Sequence, residues 1–309
     1  MTTERPFSGV YTALVTPFTA SGAIDEPALR ALVKRQTAAG VRGIVPCGTT
    51  GESATLDPAE HARVVGIVAD EARSAARRIQ VVAGAGSNDT RKAIALARVS
   101  AEAGADALLV VTPYYNKPTQ AGLLAHYRAI ADAVDLPIVL YNVPGRTGVN
   151  LLPETTLELA KDARFAAVKE ASGDLDQASA ILRRRPERFS VLSGEDSLTL
   201  SMMALGADGV VAVVSNEAPE LLVRLVDLAR AGRRDEAAAC HARLYPLMRA
   251  NFRESNPIPV KWALARMGLI GGSLRLPLVP LSPAHHAPLE EALELAGVLT
   301  ASVAAEAAR

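Results

Sequence analysis

Eight short runs rich in β-branched and apolar residues recur along the chain, at 9–16, 43–47, 80–84, 107–112, 137–141, 165–169, 189–193 and 209–214, with Ala-rich amphipathic stretches between them. That alternation is the pattern of parallel βαβ units. Eight units exceed the five or six strands of an open doubly wound sheet and fit a closed (β/α)8 TIM barrel. Short polar residues mark helix starts, as at Asp25, Asp57 and Asp89, and Gly40 and Gly104 stand where glycine C-caps belong. After about residue 231 the strand signal stops, and helices are expected near 235–251, 257–267 and from 284 to the end. We therefore read residues 1–232 as a catalytic barrel. No polar linker follows it, so residues 233–309 are expected to form a helical region packed on the barrel.

Lys plus Arg and Asp plus Glu both number 33 among 309 residues, so no net basic field exists to hold nucleic acid or an anionic membrane. Hydrophobic residues make up 49% of the chain, enough for a full core. Cys47 and Cys240 form no short-spaced pair, and residues 1–6 lack an apolar signal core. No apolar run approaches the roughly 20 residues of a membrane span. The expectation is a soluble, cytoplasmic protein with reduced thiols.

In an α/β barrel the substrate sits at the carboxyl ends of the strands, where the loops converge on one mouth. Lys169 closes the sixth run, with apolar neighbours below it. Desolvation there disfavours the ammonium form and leaves a neutral amine that can attack a carbonyl. A lysine whose stem packs while its head reaches water is the commoner occupant of a strand end. Forming and dehydrating a carbinolamine also requires groups that donate and accept protons. Tyr141, Thr49 and Tyr115 lie at three strand ends and can form such a hydroxyl chain. Adjacent strand tyrosines point opposite ways, so only one of Tyr114 and Tyr115 should serve a given site.

The turn Gly48-Thr49-Thr50-Gly51-Glu52 offers hydroxyls and backbone N–H groups suited to a carboxylate, or it is simply a tight turn with a Thr cap. Neither it nor Gly84-Ala85-Gly86 matches a nucleotide loop. Arg146, in a glycine-flanked loop, can grip a carboxylate with two hydrogen bonds. Glu195-Asp196 suits the cap of the following helix. None of the five histidines falls at a strand end, which argues against a metal mechanism.

These residues fall in segments that resemble the dihydrodipicolinate synthase family of pyruvate-dependent lyases. They are Gly48-Thr-Thr-Gly-Glu-Ser53, Thr112-Pro-Tyr-Tyr-Asn-Lys-Pro118, Leu140-Tyr-Asn-Val-Pro-Gly-Arg-Thr-Gly148, Val168-Lys-Glu-Ala171 and Asn256-Pro-Ile-Pro-Val-Lys-Trp262. The resemblance implies condensation of pyruvate with aspartate semialdehyde through an imine on Lys169, without a cofactor. It implies a relay of Tyr141, Thr49 and Tyr115, the last supplied by the neighbouring subunit of a tight dimer within a homotetramer. Thr50 then holds the pyruvate carboxylate and Arg146 that of the semialdehyde, while Gly194 and Val211 contribute backbone to the pocket. Arg146 favours the synthase over relatives acting on sugar acids. A related aldolase or dehydratase, or a silent keto-acid-binding paralogue, is the alternative. Lysine-sensitive members carry a histidine and a glutamate where this chain has Pro58 and Lys92. A cation there repels the effector by several tenths to about 1 kcal/mol, so feedback by lysine is expected to be weak or absent.

Overall fold

In the computed structural model, which describes residues 5–299, each apolar run becomes a strand. The strands are β1 (Gly9–Ala13), β2 (Gly43–Val45), β3 (Gln80–Gly84), β4 (Ala107–Val111), β5 (Ile138–Asn142), β6 (Phe165–Glu170), β7 (Ser190–Ser193) and β8 (Gly209–Ala212). All pair in parallel in sequence order, and β8 returns to β1 through Gly9↔Gly209 to Thr12↔Ala212, which closes the barrel. Helices α1 (Glu26–Ala39), α2 (Pro58–Ser74), α3 (Thr90–Glu102), α4 (Gln120–Ala131), α5 (Pro144–Thr147), α6 (Pro153–Leu159), α7 (Leu175–Arg184), α8 (Thr199–Ala204) and α9 (Pro219–Arg230) connect or follow them. The capping signals act as read. Asp25 accepts from the Ala28 N–H, Asp57 forms a reciprocal capping box with Glu60, and Gly40 ends α1 at φ 87°.

Alternation along the strands sorts the apolar residues into two sets. Tyr11, Val45, Val82, Leu109, Val139, Leu192 and Val211 fill the barrel, and the outward set packs beneath the helices. The strands carry apolar residues on both faces because both faces are covered. Buried histidines belong to this packing: burial lowers His61 and His126 to about 4, and His61 meets the Ser100 hydroxyl at 3.0 Å.

Strands β1, β2, β4 and β8 end earlier than the apolar runs predict, and for β1 and β8 polar side chains are the cause. The Asn216 amide donates to the Ala13 carbonyl at 2.8 Å and accepts from the Val15 N–H, taking the groups that would extend β1. Asp196 accepts from Val213 and Val214, which stops β8 at Ala212. Asp196 therefore does not cap the helix after it, as the sequence had indicated; its carboxylate serves the end of the neighbouring strand.

Beyond the barrel lie α10 (Arg234–Ala250), α11 (Ile258–Arg266) and α12 (His286–Ala296). Helix α10 packs on α9 and α12. The helix expected from 284 onward ends at Ala296, while residues 300–309 lie outside the described residues, as do residues 1–4 of the N-terminal segment. Among the described residues no helix is long and apolar enough to cross a membrane.

Candidate active site

The barrel register sets Lys169 beside Tyr141, as cross-strand partners on β6 and β5. Both belong to the inward set of alternating residues, and both are buried. The Lys169 Nζ stands 4.2 Å from the centroid of the Tyr141 ring. On its other side Lys169 pairs with Leu192 of β7. Lys169 is 6% exposed. Asp196 lies close enough to feel its charge, but burial dominates there and raises the carboxyl to about 6 against two backbone hydrogen bonds.

Gly194 has a steric function that sequence alone did not reveal. A Cβ added there would stand 2.9 Å from Lys169 Cγ, 3.0 Å from Cε and 2.7 Å from Ala171 Cβ. The missing side chain is the groove in which the lysine stem lies. Gly194→Ala is thus expected to displace the amine and lower kcat by roughly 100-fold, the usual effect of a misplacement near 1 Å. Steady-state kinetics on a variant of unchanged melting temperature checks this; wild-type kcat would remove the steric role.

A cavity of about 810 Å³ opens at this end of the barrel, and Thr49, Tyr141, Arg146, Tyr114, Asn256 and Pro257 are on its wall. Arg146 sits on the short helix α5 and, among the described residues, has no carboxylate partner, so its fork faces a free volume. Thr50, Lys169, Gly194 and Val211 are not on that wall; Thr50 is buried, and its hydroxyl accepts from the Asn256 side-chain amide at 2.9 Å. Val211 lies in the barrel interior. Tyr115 is not brought to these groups within one chain: it is 88% exposed, at φ 73°, and off the cavity wall. The tyrosine pair lies beyond β4, so strand alternation does not govern it, yet only Tyr114 of the two reaches the cavity wall.

Another wall of the same cavity carries Ser53, Ala54, Pro58, His61 and Lys92. Three residues with no assigned role emerge behind the Gly48–Glu52 turn. Lys261 Nζ contacts Glu52 Oε1 at 2.5 Å and the Thr16 carbonyl at 3.0 Å, the Arg275 N–H donates to Glu52 Oε2, and Asn256 reaches Thr50. The signal for one of them was present, since Lys261 stands alone in the apolar stretch Ile258-Pro-Val-Lys-Trp-Ala-Leu264. A lysine buried in such a helix requires a partner.

The sequence pattern of the Dihydrodipicolinate synthetase family matches residues 6–296. A 4-hydroxy-tetrahydrodipicolinate synthase of Chlorobium limicola is 51% identical over 296 residues, covering 96% of this chain and 99% of that one. A solved structure described as the first monomeric dihydrodipicolinate synthase variant aligns with TM-score 0.92 at 44% identity, over 95% of this chain and 98% of its own. The enzyme of Cyanidioschyzon merolae, solved with lysine bound, aligns with TM-score 0.92 at 41% identity, over 96% and 100%. A closed eight-stranded barrel with a lysine buried beneath its mouth, matched from before β1 to the last turn of α12, leaves one assignment: this chain belongs to the dihydrodipicolinate synthetase family.

Proposed function

We propose that this chain is a lyase that condenses pyruvate with L-aspartate 4-semialdehyde to 4-hydroxy-tetrahydrodipicolinate, through an imine on Lys169, in lysine biosynthesis. The observation that carries the reading is the buried Lys169 amine 4.2 Å from the Tyr141 ring, in a chain about half identical to synthases of that name. Lys169 Nζ adds to the keto carbon, and the carbinolamine loses water to give a protonated imine. That imine is the electron sink when a methyl proton leaves, so the step needs no metal. The resulting enamine carbon adds to the aldehyde. The amine of the semialdehyde then displaces Lys169 and closes the ring.

Tyr141 and Thr49 move protons at the oxygen that is lost, and Tyr115 completes the relay in the neighbouring subunit. Its exposure in the single chain suits that role. The assembly is a tetramer of tight dimers in the cytoplasm. Thr50 holds the pyruvate carboxylate, and Gly194 and Val211 shape the pocket. To test the chemistry, the protein is incubated with pyruvate, reduced with borohydride, weighed and mapped. An adduct on Lys169 supports the imine, and an unchanged mass or an adduct on another lysine overturns it. Turnover is then compared between the semialdehyde and a panel of 2-keto sugar acids, where preference for the latter would assign the chain to the aldolase branch.

Arg146→Ala is expected to lower kcat/KM for the semialdehyde about thirtyfold, corresponding to roughly 2 kcal/mol for a bidentate charged hydrogen bond, with the pyruvate adduct intact. Equal loss of the adduct would show that the arginine serves pyruvate instead. Pro58 and Lys92 lie on the cavity wall. Titration with lysine should therefore give no half-inhibition at low millimolar concentration or below, and inhibition in that range would contradict the charge argument.

A further inference from the structure

The Gly48–Glu52 turn is bracketed by two non-glycine residues in the left-handed region, Cys47 at φ 54° and Glu52 at φ 52°. Such a turn persists only where its surroundings over-determine it. Thr16 Oγ1 donates to the Gly51 carbonyl at 2.7 Å, and the C-terminal region adds Asn256 on Thr50, Lys261 on Glu52 and the Arg275 N–H on Glu52. Of these, Asn256 alone touches a group placed at the substrate. Its side chain is 6% exposed, and its Nδ2 donates to Thr50 Oγ1 at 2.9 Å. A threonine hydroxyl has one hydrogen and two lone pairs. In the amide orientation of this structure, Asn256 Nδ2 occupies a lone pair of Thr50 Oγ1, Asn256 Oδ1 is buried without a partner, and no acceptor takes the Thr50 hydrogen among the described residues, so that hydrogen is left for an arriving anion.

We propose that Asn256 is a positioning residue for substrate binding: it sets the direction of the Thr50 hydroxyl so that its hydrogen faces the carboxylate of the keto acid. This rests on the reading of Thr50 above. It gives the helical region a part in the site, since the residue that orients the strand-two turn lies between α10 and α11.

The test is a double-mutant cycle on the full-length enzyme, read as the pyruvate KM and as the extent of borohydride adduct on Lys169 at saturating pyruvate. Asn256→Ala should raise KM about tenfold and leave the saturated adduct unchanged, and it should add nothing in a Thr50→Val background. Asn256→Asp should be the more damaging change, because a carboxylate can only accept and would turn the hydroxyl hydrogen away from the substrate. Methyl pyruvate, which lacks the anion, should lose little with either variant. If Asn256→Ala does not fold, Asn256→Ser replaces it in the cycle. Wild-type KM in Asn256→Ala, the same fold-change in both backgrounds, or a milder effect of Asn256→Asp than of Asn256→Ala would each overturn the proposal alone. A Thr50→Val enzyme with wild-type KM would overturn the reading of Thr50, and this proposal with it.

Discussion

Lys169→Ala should abolish the pyruvate adduct and reduce turnover by on the order of 1000-fold or more, because covalent catalysis loses the atom that forms the bond. The more discriminating variant is Lys169→Arg. It keeps a cation and much of the stem volume beside Tyr141, yet a guanidinium remains protonated and cannot attack a carbonyl. If Lys169 acted only through its charge, Lys169→Arg would retain substantial activity and Lys169→Ala would not. As a nucleophile, both variants lose the adduct alike. Mass spectrometry after borohydride reduction, with kcat measured beside it, separates the two. Residual trapping at wild-type extent in Lys169→Arg would move the imine to another lysine. The substitutions also differ in packing. Gly194 leaves only a groove for an unbranched stem, so the broader guanidinium head must find room past Ala171. A melting curve shows whether it does.

Lys261→Met should destabilise the fold by about 3–5 kcal/mol, the usual cost of removing one partner from a buried ion pair. Both side chains are fully buried: Lys261 Nζ meets Glu52 Oε1 at 2.5 Å and lies 4.4 Å from the Phe18 ring. Burial pulls the ammonium downward, and Glu52 opposes that pull. Without the lysine, the Glu52 carboxylate retains the Arg275 N–H at 3.1 Å and the more distant Arg275 charge, and loses the ammonium in contact with it. Neutralising both partners, as in Lys261→Met with Glu52→Gln, should recover most of the loss, since an unpaired buried charge is what carries the penalty. Urea denaturation of the three variants and the wild type gives these differences directly. A single variant as stable as wild type would show that water already reaches the pair.

Lys169 and Lys261 differ greatly in how legible they are in the sequence. Lys169 could be read because it ends a β-branched run, and in a barrel a strand end is also the mouth. Lys261 lies in the segment Asn256–Trp262, and nothing there shows its role, because its partner is 209 residues away in sequence. Tyr115 shows the opposite limit. It belongs to a recognisable segment, but a single chain leaves it exposed and off the cavity. The strand ends at Ala13 and Ala212 were also out of reach, since side chains of Asn216, 203 residues from Ala13, and of Asp196, in the loop after β7, take the ladder's groups. Gly194 was expected to offer backbone to the pocket, and its role as a groove for Lys169 appears only when two strands lie side by side.

The sequence alone determined the eight-fold alternation, and with it the barrel, the helix caps and the strand end on which Lys169 stands. These follow from local periodicity and from short polar residues bonding to their own backbone, both of which act over a few residues. Tertiary structure decided which groups meet: Lys169 with Tyr141 across a register, Thr50 with Asn256, Glu52 with Lys261 and Arg275. Those contacts depend on barrel closure and on the C-terminal helices folding back onto the strand-two turn. Because each joins residues far apart in the chain, no periodicity or spacing encodes it.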